Sequence, residues 1–137
     1  MRQMSLSPRS RRSTCWIVGF LVSCLAPSCA GPRRAGPVDV NAARQAVTTV
    51  LDSWKNGNSL SEFQKRSTGI TVQDMDWAAG IQLVSYSFSG AESTDTANLH
   101  CSLKLLLRDQ EGKETEKQVK YVIGTDPVTT VFREMSM

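Results

Sequence analysis

The chain is poor in the residues that most metal and catalytic sites require. It has one histidine, His100, so a site built on two histidines is excluded within a single chain. Of its four cysteines only Cys101 lies after residue 30, which excludes a disulfide and the multi-cysteine zinc patterns in that part of the sequence. No glycine-rich phosphate loop or nucleophile elbow is present. The sequence therefore predicts no cofactor and no metal, and Cys101 is interpreted as a small apolar core residue.

Acidic residues are missing from the first 38 positions. All 13 of them follow Val38, whereas six of the 16 basic residues precede it. The chain as a whole has a net charge of +3, but the part after Val38 has ten basic and 13 acidic residues and is therefore net negative. Binding to nucleic acid loses its usual electrostatic support in such a domain, and we expect no nucleic-acid partner.

A long apolar run is also missing, and the short one present indicates export. The run from Cys15 to Val22 is too short to span a bilayer. It follows the arginines of the Arg9–Arg12 stretch and precedes small residues and proline, which is the arrangement of a secretory signal peptide over residues 1–30. Residues 31–37 are rich in glycine and proline and are predicted to form an extended, flexible tether.

Two endings of the signal peptide compete. Leu21-Val22-Ser23-Cys24 is similar to a bacterial lipobox, which predicts that Cys24 is acylated and anchors the protein on the periplasmic side of the cell envelope. Ser28-Cys29-Ala30 suits an ordinary signal peptidase instead, and cleavage there would give a secreted protein. We favour the lipid anchor at Cys24, because two acyl chains bury enough methylene groups to hold a small domain at a membrane.

Residues 38–137 are predicted to form a single domain organised around one strand. From Leu99 to Asp109, leucines and Cys101 alternate with polar residues, which is typical of a strand with one buried face. A polar segment at 109–113 with Gly112 leads into a second run, Val119 to Thr125, so that the two form a long hairpin.

The rest of the domain contains helix signals followed by weaker strand signals. Asp39 is predicted to cap an amphipathic helix that ends near Asn56, and Ser59 to Glu62 fits the capping box of a short helix. Further strands are predicted at 70–73, 81–89 and 128–135, and the second of these would direct Val84, Tyr86 and Phe88 inward. The predicted fold class is α+β: one long N-terminal helix and a short helix packed on a curved, mainly antiparallel sheet of four to five strands, joined in sequence as a meander.

Several short motifs give the domain a resemblance to known proteins. Val72-x-Asp74-x-Asp76-Trp77-x-x-Gly80, the leucine strand and Val119-x-Tyr121-x-Ile123-Gly124-Thr125 resemble a group of small uncharacterised exported proteins of planctomycete bacteria. The order of elements is similar to cystatin-like and nuclear-transport-factor-like folds, and that similarity implies a pocket between sheet and helix. The inhibitory loop of cystatins, Gln-x-Val-x-Gly, is not reproduced, so the resemblance does not imply protease inhibition.

The candidate catalytic residues are Asp74, Asp76, His100 and Tyr86. Asp74 and Asp76 could share a cation or divide acid and base roles, but an Asp-x-Asp near a strand end also caps turns. His100 shares its strand face with polar residues, which indicates that its side chain is exposed to solvent. It could still act as a general base beside an aspartate. Tyr121 is predicted to be a core aromatic with its hydroxyl at the rim. Arg133 is expected to form a surface pair with Glu134.

Three functions follow from these patterns. The first is a membrane-tethered, non-enzymatic domain that binds an envelope protein or a small apolar ligand. The second is a small pocket enzyme of the nuclear-transport-factor-like type, in which the four candidate residues would converge. The third is a structural homodimer formed through the open sheet face, with Leu106 and Val122 as exposed apolar positions.

Overall fold

A computed structural model describes Gly31, residues 34–67 and residues 69–135. The predicted signal peptide, Cys24 and the alternative cleavage site lie outside the described residues. The end of the predicted tether is fastened to the domain, since the backbone N–H of Gly36 donates to Asp126 Oδ2 at 2.6 Å. Val38 N–H donates to the carbonyl oxygen of Thr96 at 3.1 Å, so the domain's contacts begin before its first helix.

The described residues form an α+β fold with three helices and a curled open sheet. The elements in chain order are α1 (Val40–Lys55), α2 (Leu60–Arg66), β1 (Ile70–Gln73), α3 (Met75–Ala78), β2 (Gln82–Phe88), β3 (Ser93–Thr94), β4 (Asn98–Arg108), β5 (Glu114–Gly124) and β6 (Thr129–Arg133). No helix in this part of the chain is long and apolar enough to cross a membrane.

The hairpin of β4 and β5 is the centre of the sheet, as predicted. The five alternating residues from Leu99 to Leu107 are all buried, and the turn places Gly112 at φ +85°, a value that favours glycine. β5 begins at Glu114, earlier than the predicted Val119, because the polar residues before Val119 continue the backbone ladder to β4. Apolar alternation alone therefore underestimated the length of this strand.

The strand order is β1-β6-β5-β4-β2, with the two-residue β3 on β4, and it differs from the predicted meander at β1. β2, β4, β5 and β6 do follow one another as antiparallel neighbours. β1 instead pairs in parallel with β6, with Val72 opposite Val131, so β1 and β2 lie at opposite edges. The pairing places Val72 beside Val131, and both side chains are buried in the core.

The inward residues of β2 also differ from those predicted. The pairing with β4 shifts between Leu83 and Ser85, and this irregularity moves Val84 out of the alternation. Leu83 is fully buried, Val84 is only half-buried, and Phe88 is 45% exposed. Tyr86 is half-buried, in agreement with an inward position at the margin of the core.

The two predicted helix starts have the expected caps. The Asp39 side chain accepts from the backbone N–H of Ala42, and Ser59 and Glu62 form the complete capping box. α1 packs on β2, β5 and β6, so its apolar face covers the leucine face of the sheet. At its end the indole of Trp54 stacks on that of Trp77, with ring centroids 5.6 Å apart. This stacking packs α3 against the end of α1.

Candidate functional site

The site begins at Asp74, the last residue before α3. Its Oδ1 accepts from the backbone N–H of Trp77 at 3.0 Å, so Asp74 is the N-cap of the short helix. The side chain is nevertheless buried rather than solvated: the residue is only 2% exposed and is the one buried polar residue in the described part of the core. A carboxylate in such a place requires further partners.

Those partners come from β5 and from the end of β6. The hydroxyl of Tyr121 donates to Asp74 Oδ2 at 2.5 Å, and an Arg133 Nη1 lies 3.5 Å from Oδ1. Tyr121 and Arg133 are paired positions on the two strands, and both point to the inner face of the sheet. The second aspartate, Asp76, accepts from Arg133 Nη1 at 2.5 Å and from Lys117 Nζ at 3.1 Å to each oxygen. We call these five residues the aspartate network.

The aspartate network is electrically balanced, and its pKa shifts follow from its geometry. Partial burial opposes the ionisation of Asp76, but the bonds from Arg133 and Lys117 outweigh it and lower the pKa of this carboxyl below its ordinary value of 3.8. Burial, followed by the charge of Asp74, raises the pKa of Tyr121 far above 10.0, so this hydroxyl stays protonated and donates. Although burial opposes its charge, Asp76 and Asp74 raise the pKa of Arg133.

A groove opens beside the aspartate network. It has a volume of about 450 Å³ and is lined by, among others, Met75, Asp76, Lys117, Val119, Arg133 and Met135. Met75 is 65% exposed and Met135 is 68% exposed, while Val119 is buried beneath them. We call this the methionine groove. Flexible, polarisable methionine side chains adapt to different apolar partners, so such a surface suits binding better than it suits a fixed transition state.

The four predicted catalytic residues are not brought together. Asp74 and Asp76 belong to the aspartate network, whereas His100 lies on the opposite face of the sheet, because its neighbours Leu99 and Cys101 point into the core. His100 Nε2 lies 2.9 Å from Asp95 Oδ2, and this contact, with backbone bonds to the same carboxylate, lowers the pKa of Asp95.

Tyr86 is engaged elsewhere as well. Its hydroxyl donates to Asp52 Oδ1 on α1 at 2.7 Å. Burial, together with this bond, raises the pKa of Tyr86 to about 12. Cys101 is buried as expected, and burial raises the pKa of its thiol to about 11, so the thiol stays protonated at neutral pH.

The expectation for Arg133 was wrong, whereas Tyr121 is a core aromatic as predicted but with its hydroxyl in a different place. The hydroxyl of Tyr121 is buried rather than at a rim, and Arg133 pairs with the two aspartates rather than with Glu134. One signal in the sequence could have found this arrangement. Lys117 and Tyr121 lie two residues from the inward Val119, and Arg133 lies two residues from the inward Val131, so all three side chains point to the inner face. Two of them are cations, and cations on a buried face require counter-ions.

The arrangement is a poor cation site. Both oxygens of Asp76 already accept bonds from cationic side chains, with which a metal ion would have to compete. Across the described residues, no group of three or more potential metal-ligating side chains occurs. No family model, no curated protein and no solved structure matches the chain.

Proposed function

We propose that the protein is an exported binding domain of the cell envelope, anchored by a lipid on Cys24, which binds a partner protein at the methionine groove. The observation that carries the proposal is the pair of exposed methionines, Met75 and Met135, that line one open groove. Exposed apolar surface of this kind is costly unless a partner covers it. The aspartate network beneath fixes the positions of α3, β5 and β6, the elements that carry the groove.

An enzymatic role has less support. General acid–base catalysis requires the acid and the base each to lie within hydrogen-bond reach of the substrate atom on which it acts. His100 and the aspartates lie on opposite faces of the sheet, and the carboxylates are neutralised by Arg133 and Lys117. The oxygens of Asp74 are likewise taken up by Trp77, Tyr121 and Arg133.

Dimerisation through the open face has less support as well. Leu106 pairs with Glu116 and Val122 pairs with His100, so the two apolar positions are separated by six residues along β5. At a strand rise of about 3.3 Å per residue, that separation is about 20 Å. The rows between them carry Lys104 with Gln118 and Ser102 with Lys120. Both apolar residues are half-buried and do not form one continuous patch.

The likeness to cystatin-like and nuclear-transport-factor-like folds is part of the same proposal. It is supported by the packing of α1 across an antiparallel sheet whose central hairpin is long. A fold of this type serves many functions, so the likeness does not itself identify a ligand. The resemblance to planctomycete proteins is proposed on the motifs around Trp77 and Tyr121, and isolation of the native protein from such an envelope would test it.

Site-specific photo-crosslinking in the native envelope tests the binding site. A photo-reactive residue at Met135 is expected to give a defined crosslinked species, whereas the same residue at Lys65, exposed on α2 away from the groove, gives none. Both variants must keep the wild-type melting temperature, so that a difference reports contact rather than folding. Identical crosslinking at the two positions, or none at Met135 with the protein in its native membrane, would overturn the groove as the binding site.

A further inference from the structure

β5 is longer than the strand that covers its outer edge. β6 ends at Arg133, opposite Tyr121, and the last bond between the two segments runs from the N–H of Glu134 to the carbonyl oxygen of Lys120. From Glu114 to Val119, β5 pairs with β4 on one side and with no other strand among the described residues. That part of β5 is an edge strand.

The backbone groups on this edge can be assigned by alternation. In an antiparallel strand the N–H and C=O of one residue point to the same side, and those of the next residue point to the other side. The carbonyl of Lys120 points towards β6, so the backbone groups of Gln118 and Glu116 point the same way. Both residues are exposed, and their backbone groups on this side have no partner in the described part of the chain.

The edge and the methionine groove are adjacent. Lys117 and Val119, which alternate with Glu116 and Gln118, direct their side chains to the inner face and line the groove. An extended segment paired with this edge would therefore direct every second side chain to the face that carries the groove lined by Met75 and Met135. Its remaining side chains would lie on the outer face of the sheet. Backbone bonds and an apolar groove are the two parts of recognition by strand addition.

The charges on the outer face favour a basic segment. Glu114, Glu116 and Glu134 lie along this edge. Glu114 accepts from Arg108 Nη2 at 2.6 Å, whereas the nearest contact that neutralises Glu116 is a 3.5 Å ion pair with Lys104 in which both side chains are exposed. Exposed pairs of this kind are weak and leave the carboxylate available to a partner. Lysine or arginine opposite Glu116 would form a favourable cross-strand pair.

A second copy of the chain fits this edge poorly. Glu134 occupies the open side of Lys120, so an added strand has room only beside Glu114 to Gln118. A symmetric antiparallel copy centred there brings Glu116 opposite Glu116 of the other copy, or opposite Glu114 if it slips towards the turn. Like charges directly opposite each other destabilise such a pair.

We propose that the β5 edge binds an extended segment of a partner protein, with basic residues alternating with apolar ones, as an added strand. The proposal rests on the proposed function, since it names the class of partner for the same groove. The apolar side chains enter the methionine groove, a basic side chain faces Glu116, and the backbone completes the bonds of Glu116 and Gln118.

A synthetic peptide provides the test. A capped heptapeptide of alternating lysine and valine is added to the full-length chain, and amide hydrogen exchange and methionine methyl resonances are followed by NMR. We expect the exchange of the Glu116 and Gln118 amides to slow by about tenfold or more on binding, with shifts of the Met75 and Met135 methyls. The matched peptide of alternating glutamate and valine should give neither effect.

A charge reversal on the protein completes the test. Glu116→Lys should weaken binding of the lysine–valine peptide by about tenfold and improve binding of the glutamate–valine peptide. Glu111→Lys, an equal charge change at the exposed hairpin turn, serves as the control and should leave both affinities nearly unchanged.

The outcomes separate this proposal from the one on which it rests. Methyl shifts at Met75 and Met135 without protection of the Gln118 amide would overturn strand addition and leave the groove as a binding site. Equal protection by both peptides would overturn the preference for a basic segment. If neither methyls nor amides respond, the strand addition is overturned, and crosslinking at Met135 then decides the proposed function independently.

Discussion

The hydroxyl of Tyr121 donates to the carboxylate of Asp74 at 2.5 Å, although the two residues are 47 positions apart in the chain. Asp74 is 2% exposed and Tyr121 is 1% exposed, so the bond lies in the interior. It ties the helix cap of α3 to the middle of β5. A buried charged acceptor that loses one of its donors costs more than the loss of an exposed bond, because water does not replace the donor.

Removing this hydroxyl should therefore destabilise the folded protein. We expect Tyr121→Phe to lower the free energy of unfolding by about 1–3 kcal/mol, the range for an unsatisfied buried group. Tyr86→Phe is the matched control, since its hydroxyl donates to the exposed Asp52, and it should cost about 1 kcal/mol or less. Urea unfolding of both variants measures the difference. Equal losses would contradict the importance of burial at Asp74.

The second aspartate makes stability depend on pH. The pKa of Asp76 is lower in the folded chain than its ordinary value of 3.8, so its ionised form stabilises the native state above about pH 4. That contribution is lost as the pH falls from about 4 through the folded pKa. Asp76→Asn should be less stable than wild type at neutral pH, and the gap should narrow at acidic pH. Urea unfolding at a series of pH values measures the gap.

Two other carboxylates titrate in the same range and require a control. The pKa values of Glu62 and Asp95 are also lowered, by the capping box and by the His100 contact respectively. Both groups are present in wild type and in Asp76→Asn, so their contributions cancel in the difference between the two proteins. A gap that stays constant with pH would show that Asp76 stabilises the fold through packing rather than through its charge.

The sequence predicted local structure correctly at positions where a residue type has one dominant structural role. Asp39 and Ser59 cap helices because their side-chain oxygens satisfy free N–H groups, and the alternation from Leu99 to Leu107 buries one face. The position of β1 beside β6 could not be read in this way, because a four-residue strand carries no information about its neighbour. The shift in β2 after Leu83 was equally invisible, because the inserted residue continues the apolar pattern.

The candidate site was only half predictable for a related reason. The motif containing Asp74 and Asp76 identified the acidic half from residues close together in the chain. Its cationic half comes from β5 and β6, more than 40 positions away, and joins it only when the strands pair. Strand alternation places Lys117 and Arg133 on the inner face, but this can be deduced only once the inward side of each strand is known.

A pair of adjacent residues tests which face of the central strand points into the core. Leu103 is fully buried on the inner face of the sheet, and Lys104 is exposed on the other face. Leu103→Ala should cost about 2–5 kcal/mol, because it removes buried methyl groups and opens a cavity. Lys104→Ala should change stability by less than about 0.5 kcal/mol. Chemical denaturation measures both, and equal effects would contradict the assignment of the inner face.

The membrane anchor gives a prediction that does not depend on the fold. If Cys24 is acylated, the mature protein from the native host should carry the mass of its acyl chains and sediment with membranes. Each buried methylene contributes about 0.8 kcal/mol, so two long chains hold the domain there stably. Cys24→Ala should abolish the added mass and the membrane association, whereas Cys29→Ala, a matched change nearby, should preserve both. An unmodified wild-type chain beginning near Gly31 would instead establish a released protein, and partners of the methionine groove should then be sought among soluble proteins.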